Sequence, residues 1–388
     1  MIAKNLALPI RTESQSYASQ GVCDDFVSRL LLFKIVLPAC LICLSVSLLS
    51  LSFPITATRP EIQWMPWLLS LFVFGLAHGG IDHQLPTLLG GITMKRRSVV
   101  SFVAWYLCLM IAVLMIWRWI PDAGLVLFLL MSAYHFGQGD LYWSSAFGLH
   151  RTLRAKTEPT GRGSTYLPVI LLIARGSLPA IIPFLFFPDQ FTEITRHLGT
   201  QLTGVNIQGW AGVTALRHGL MVGVFLFTFG QIMISLHLAY ARYKVRDAAT
   251  VRAAITEIAE TGLLLLLFTS ASPILTIGTY FLVWHSPRHV VRLILLTKPL
   301  QELVSQGQLG LALIYFHRRA LPLTAAAGGL LMLLWAAISS YHISAAVLIT
   351  SAFLFVSAIT FPHFLIVLWM DAKQSIWGGN SQPKGATR

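Results

Sequence analysis

The sequence predicts an all-α protein, a polytopic integral membrane helical bundle of about ten transmembrane helices with both termini cytoplasmic. Of its 388 residues, 55% are hydrophobic and 11% are charged, and the mean hydropathy is +0.70. This composition leaves too little polar surface to cover a water-soluble globule of that size. Apolar runs of spanning length recur along the chain, and basic residues collect in the short connections between them, as is typical of membrane proteins.

Ten apolar segments are predicted to cross the membrane. They cover approximately residues 31–54, 64–89, 99–120, 123–141, 166–187, 219–240, 259–271, 274–296, 321–338 and 344–370. The seventh and eighth are divided at Ser270-Ala-Ser-Pro273, where proline interrupts the apolar run. Polar tails are predicted at 1–28 and 373–388, on either side of a membrane domain at 29–372.

We attribute the formal net charge of +13 to basic loops on the cytoplasmic side of the membrane and not to nucleic-acid binding. If the amino terminus is cytoplasmic, every basic cluster falls on the inner side of a ten-span arrangement. These clusters lie at 95–97, 151–162, 242–252 and 298–319 and in the C-terminal tail. We therefore expect a multi-pass protein of the cell inner (plasma) membrane with no nucleic-acid partner.

Two histidines four residues apart lie in the eighth predicted span, in the run Trp284-His285-Ser-Pro-Arg-His289. Helical spacing of four places both imidazoles on one face, which is a metal-ligand geometry for iron, zinc or copper. On the outer side, His78 lies 14 residues beyond Trp64, His135 lies 14 beyond Pro121, and His285 lies 11 beyond Ile274. At about 1.5 Å per residue, these three fall within roughly 5 Å of one depth. We expect the four imidazoles to meet near mid-membrane.

Other histidines and cysteines in the apolar runs carry weaker signals. The isolated His237 and His342 are interpreted as hydrogen-bonded packing residues. The pair Cys40 and Cys43 has no second cysteine pair to complete a metal or redox site, so packed or lipid-exposed thiols are expected. Four imidazoles predicted to meet near mid-membrane indicate a functional site instead, because ionisable groups inside a membrane are costly unless they are used or paired.

Several separate motifs occur in order between Trp64 and Asp371, each inside a predicted span. They are His78-Gly-Gly-Ile-Asp82-His83, Tyr134-His135-Phe-Gly137, Arg175-Gly176, Tyr280-Phe281, Trp284-His285-Ser-Pro-Arg-His289 and Phe361-Pro-His363 with Asp371. In this set and order the chain resembles the Brp/Blh family of bacterial and archaeal membrane β-carotene 15,15'-dioxygenases. It departs from the family in its polar tail, in the basic insertion at 151–162 and in the long connection after Pro188.

The resemblance implies a metal centre and a reaction for the membrane domain at 29–372. Fe(II) would be held by four histidines and would cleave the central 15,15' double bond of β-carotene with O2, giving two molecules of retinal. The implied ligands are His78, His135, His285 and His289. The carotenoid would arrive through membrane lipid, and the retinal would be passed to a microbial rhodopsin.

Further residues near the implied ligands are assigned supporting roles. Four are candidates to orient the ligating imidazoles through hydrogen bonds, namely Asp82, His83, Asp140 and His363. Four aromatic residues are candidates to line the substrate site, although each also fits ordinary core packing, namely Tyr134, Phe136, Tyr280 and Trp284. The buried cation of Arg175 needs a partner, which either Asp140 or Asp82 would supply.

Three other classes of protein are alternatives to the cleavage enzyme. A membrane di-iron desaturase needs several histidine clusters, whereas this chain has one HxxxH and no HxxHH. A b-type haem protein needs axial histidines on two facing helices, which His285 and His289 on one turn do not provide. A non-catalytic metal carrier or rhodopsin-assembly protein that holds a metal at the histidines stays open as the alternative.

Overall fold

The structure is a computed structural model that describes residues 25–53, 60–91, 95–154, 166–193, 196, 214–339 and 345–376, and the regular elements in these ranges are all helical. The α-helices are α1 (Asp25–Leu31), α2 (Leu37–Ser52), α3 (Pro60–Ser70), α4 (Leu76–Gly79), α5 (Leu85–Gly90), α6 (Arg96–Trp119), α7 (Pro121–Phe147), α8 (Leu149–Arg154), α9 (Tyr166–Phe186), α10 (Thr214–Lys244), α11 (Ala248–Ser270), α12 (Pro273–Tyr280), α13 (Ser286–Leu295), α14 (Lys298–Ser305), α15 (Leu309–Ser339) and α16 (Ala345–Lys373). Three π-helical turns join consecutive helices, at Leu32–Val36, Leu71–Gly75 and Phe281–His285.

Seven helical segments within the described ranges are long and apolar enough to span a membrane. They are Asp25–Ser52, Ile62–Gly90, Arg96–Trp119, Tyr166–Phe186, Arg217–Lys244, Leu309–Ala337 and Thr350–Lys373. These segments support the predicted all-helical membrane protein. The other three predicted spans coincide with α7, with α11 and with the pair α12 and α13. Those helices contain buried charged residues, so the total of ten spans stays a prediction, as does the cytoplasmic placement of both ends.

Proline and capping residues stand at the start of three of the helices. Pro121 and Pro273 each stand at the start of a helix, where the missing N–H costs no hydrogen bond. The side chain of Asp247 caps α11 by accepting from the backbone N–H of Thr250 at 3.2 Å. The predicted break between the seventh and eighth spans is confirmed, because α11 ends at Ser270 and α12 begins at Pro273.

The predicted tails lie largely outside the described residues, which begin at Asp25 and end at residue 376. Helix α1 begins at Asp25, inside the predicted tail of 1–28, and α16 ends at Lys373. His342 also lies outside the described residues. His237 lies on α10, where its side chain is exposed instead of packed between helices.

Close contact between α7 and α9 fixes the helix that carries His135. A Cβ added to Gly137 would overlap the backbone carbonyl of Leu172, and one added to Gly176 would overlap that of Ala133. Small residues at such crossings let two helix backbones touch. Gly137 therefore serves the packing of these two helices. By contrast, a Cβ at Gly139 would lie 3.3 Å from Nδ1 of His285, beside the candidate site.

Candidate metal centre

Five buried imidazoles from separate helical segments meet in one place. They belong to His78 in α4, His135 in α7, His285 at the end of the last π-helical turn, His289 in α13 and His363 in α16. Ring centroids lie 4.8 Å apart for His78 and His363, 4.9 Å for His135 and His285, and 5.4 Å for His78 and His289. The structure thus brings the four predicted ligands together and adds His363 to them.

Two of the three π-helical turns lie directly next to these histidines. In one, the backbone N–H of Ser286 donates to the carbonyl of Phe281, five residues earlier. Pro287 follows, and because proline has no N–H it cannot continue the ordinary hydrogen-bond ladder. The other turn, Leu71–Gly75, immediately precedes the helix that carries His78. Such local widening of a helix changes which side chains share a face, and it is frequent at functional sites.

The hydrogen bonds of the imidazoles determine which nitrogens are left to bind a metal. Nδ1 of His78 lies 3.1 Å from the carbonyl oxygen of Phe74, which requires an N–H there and leaves Nε2 with the lone pair. Nδ1 of His363 likewise donates to Oδ2 of Asp82 at 2.8 Å. These are the bonds that fix the tautomer of a metal-binding histidine.

Several of the remaining imidazole nitrogens have no partner, and three of the rings lie close enough to share a cation. Within the described residues, no hydrogen-bond partner is found for either ring nitrogen of His135 and His289, or for Nε2 of His285 and His363. Buried polar atoms without partners are rare in proteins. One nitrogen each from His78, His135 and His363 can be chosen so that all three lie within 4.8 Å of one another. An all-imidazole set suits iron, zinc or copper.

Of the four residues predicted to orient the imidazoles, the structure connects Asp82 and His363 with the cluster, whereas His83 and Asp140 contact other groups. Asp82 is bonded to an imidazole, that of His363, and His363 itself stands inside the cluster. His83 is half-buried, with Nε2 3.3 Å from the amide nitrogen of Gln84. Asp140 serves other groups, because its Oδ1 accepts from the indole of Trp284 at 3.0 Å and from the guanidinium of Arg288 at 3.1 Å.

A buried ion network surrounds the predicted cation of Arg175. Its Nη2 lies 3.1 Å from carboxylate oxygens of both Glu257 and Glu260, and its Nη1 lies 3.7 Å from Asp140. Glu260 also binds Arg288, at 2.8 Å. Of the two partners expected for Arg175, Asp140 is in contact with it. The two glutamates of α11 are further partners that the sequence analysis did not predict. Glu257 and Glu260 are three residues apart, which places both carboxylates on one helix face. Because an apolar run follows them directly, this spacing was the signal in the sequence for a buried acidic pair.

An apolar cavity extends from the histidines between the surrounding helices. It reaches His78, His135, His285 and His363, and its wall includes Trp67, Tyr106, Leu125, Phe128, Phe136, Ile277, Phe281 and Phe353. Of the predicted lining residues, Phe136 is in this wall. Tyr280 and Trp284 are fully buried, and Trp284 faces the ion network through its bond to Asp140. Tyr134 is half-buried against the ring of Phe364.

The fold and site define a helical membrane protein in which buried imidazoles meet at the wall of an apolar cavity. The family model described as Beta-carotene 15,15'-dioxygenase matches residues 69–371. The chain belongs to this family, and the predicted resemblance to the Brp/Blh proteins is confirmed. The prediction that the chain is an enzyme of the β-carotene 15,15'-dioxygenase type is confirmed with it.

Relatives from archaea and bacteria cover most of the chain. A probable beta-carotene 15,15'-dioxygenase Blh of Halobacterium salinarum is 30% identical over 319 residues, 82% of this chain and 87% of the relative. A probable beta-carotene 15,15'-dioxygenase Brp of the same organism is 23% identical, over 82% of this chain and 86% of the relative. The beta-carotene 15,15'-dioxygenase of the uncultured marine bacterium 66A03 is 24% identical, over 79% and 93%. No solved structure matches the chain.

Proposed function

We propose that this protein uses Fe(II) and O2 to cleave the central 15,15' double bond of β-carotene, giving two molecules of retinal. The observation that carries this proposal is the convergence of buried imidazoles at the wall of an apolar cavity. Family membership supports the substrate, and the site supports the metal. The proposed catalytic domain covers residues 29–372.

Each proposed ligand contributes a neutral nitrogen donor. These ligands are His78, His135, His285 and His289. Because no buried carboxylate or thiolate is among them, a bound Fe(II) ion keeps its full positive charge in a site of low polarity. When bound, the metal would supply activation of O2, and the protein would supply the donor set and exclude water.

The cavity provides the chemistry needed to bind a polyene. Its wall is mainly apolar and aromatic, with Phe136 and Phe281 next to His285 at ring-centroid distances of 5.1 and 5.6 Å. A long hydrocarbon placed there would bury apolar surface without losing hydrogen bonds to water. The aromatic wall would orient the polyene so that its central bond lies near the imidazoles.

Substrate and product would both reach and leave the site through the surrounding membrane. We infer ten spans with both ends cytoplasmic in the plasma membrane, so that the carotenoid arrives from membrane lipid and retinal returns to it. From lipid, the retinal can pass to a microbial rhodopsin. A metal carrier would need a polar path to the site, whereas the cavity that reaches the imidazoles is mostly apolar. The carrier alternative is therefore not favoured.

Expression in a bacterium that accumulates β-carotene tests this function. Wild type is compared with His135→Ala, with His285→Ala and with the control His237→Ala, whose side chain is exposed on α10. We expect pigment loss and retinal, measured by chromatography, from wild type and the control only. Unchanged β-carotene with wild-type protein in the membrane and iron supplied would contradict the proposal.

A further inference from the structure

We propose that His363 binds the same metal ion as a fifth imidazole ligand, and that Asp82 holds its ring in the ligating orientation. The inference rests on the proposed iron site and extends its ligand set from four histidines to five. It concerns a residue that sequence reasoning assigned to an orienting role. Three independent features of the structure support it.

The first feature is the position of His363 inside the cluster. Its ring centroid lies 4.8 Å from that of His78, 5.0 Å from His135 and 5.3 Å from His289. These separations are as short as those between the proposed ligands themselves, among which His78 and His285 are 5.9 Å apart. A residue that only supported a ligand from behind would lie farther from the other three.

The second feature is the direction of its hydrogen bond. Nδ1 of His363 donates to Oδ2 of Asp82 at 2.8 Å, so the lone pair of the neutral ring resides on Nε2. Nε2 is buried and has no hydrogen-bond partner among the described residues. A histidine with a purely structural role would be expected to use both nitrogens. The carboxylate, imidazole and free nitrogen are arranged as in metal sites where an acid orients the ligand.

The third feature is the way Asp82 itself is held. It lies in the turn Asp82–Gln84, four residues after His78, so one chain segment carries a proposed ligand and the acid that orients another. The hydroxyl of Tyr106 also donates to Oδ2 of Asp82 at 3.3 Å. A Cβ at Gly79 would be 3.6 Å from Nδ1 of His363 and 3.7 Å from Oδ2 of Asp82, so the pair packs tightly against the His78 segment.

A shared cation explains why these rings lie so close together. Several neutral imidazoles that bring lone pairs together in a buried site repel one another and lose their hydrogen bonds to water. A metal ion bound by the free imidazole nitrogens would replace the hydrogen bonds that these rings lose on burial. His78, His135, His285, His289 and His363 would hold the ion, which would supply activation of O2 when bound.

The test uses full-length protein in detergent, loaded with Fe(II) without oxygen. Iron per chain is measured by mass spectrometry, affinity by titration with Fe(II), and the number of imidazoles at iron by X-ray absorption. We expect His363→Ala to lose one imidazole and at least 10-fold in affinity. Asp82→Asn should keep the imidazole count and lose about 10- to 100-fold in affinity. The control His237→Ala should match wild type in every measurement.

The outcomes separate this inference from the proposed function. If wild type binds iron through four imidazoles, and His363→Ala keeps that number and the wild-type affinity, the inference is overturned while the iron site stands. If wild type binds no iron, both fail. Should His363→Ala not yield folded protein, His363→Gln, which is closer in size, is measured in its place. An unchanged imidazole count and unchanged affinity in that variant and in Asp82→Asn would overturn the inference equally.

Discussion

Arg292 of α13 and Asp371 of α16 form a buried ion pair, with 2.6 Å between Nη2 and Oδ1. Arg292 lies three residues beyond His289, and Asp371 lies eight beyond His363, so the pair joins two of the helices that carry the imidazole cluster. Oδ2 of Asp371 also accepts from the amide of Gln138 at 2.8 Å, three residues beyond His135 on α7. One carboxylate therefore connects three helices of the site.

We expect Asp371→Ala to destabilise the protein strongly. The change leaves the Arg292 guanidinium buried without its carboxylate, and breaking a buried pair on one side costs about 3–5 kcal/mol. Thermal inactivation in detergent should occur at a clearly lower temperature than in wild type. The control Glu302→Ala removes an exposed acid and should leave the inactivation temperature nearly unchanged. Equal inactivation temperatures for the two variants would show that Asp371 does not hold the helices together.

We expect Gly137→Ala to weaken the contact between α7 and α9. The added Cβ would overlap the carbonyl of Leu172, so the two backbones must move apart, at a cost of about 1–3 kcal/mol. Gly223 on α10 has open space at its Cβ position and serves as the control. Alanine there should be neutral or stabilising by up to about 1 kcal/mol. Unfolding in denaturing detergent would measure both, and the same effect for both would refute the close contact.

We expect a larger side chain in the cavity wall to reduce carotenoid cleavage without removing iron. Ile277 lies in the wall, so Ile277→Trp would occupy space assigned to the polyene. Ile255 on α11 is 56% exposed, and Ile255→Trp is the matched control. Retinal yield should fall several-fold in the first variant alone, with wild-type iron content in both. Full activity of Ile277→Trp would show that substrate does not bind in this cavity.

We expect a pH-dependent loss of stability from His150 in α8, which lies outside the seven apolar spans. Burial, followed by the nearby charge of Arg154, lowers the pKa of His150 from 6.5 to about 4. The unfolded chain therefore binds the proton first, and the stability contributed by the neutral ring is present above pH 6.5 and is lost as pH falls toward 4. Wild type should lose more stability than His150→Gln over this range. Parallel pH profiles of thermal inactivation would contradict this.

The meeting of His78, His135, His285 and His289 can be predicted from the sequence because its signals are local. The spacing of His285 and His289 puts them on one face, and counting residues from the outer ends gives His78 and His135 the same depth. Counted in the same way, His363 lies 19 residues from the start of its predicted span, which is deeper than the other three. Counting residues alone therefore does not bring His363 to the cluster, because α16 is 29 residues long and its start need not lie level with the starts of shorter spans.

The surroundings of the site could not be predicted as well, because they depend on contacts between helices. Tyr280, Trp284 and Arg288 are spaced by four residues, and the structure shows Trp284 and Arg288 bonded to Asp140. Sequence alone does not say whether that face meets a cavity or an ion network. Glu257 was left out because the predicted span began after it, although this glutamate is a buried partner of Arg175.

The most direct test of the account is the reaction of purified protein with β-carotene, Fe(II) and O2. We predict iron-dependent formation of two molecules of retinal for each β-carotene consumed, and no retinal from His135→Ala under the same conditions. Measurement by chromatography gives both the amount and the position of cleavage. Retinal formed equally without iron or by His135→Ala, or products of cleavage at another double bond, would contradict the account.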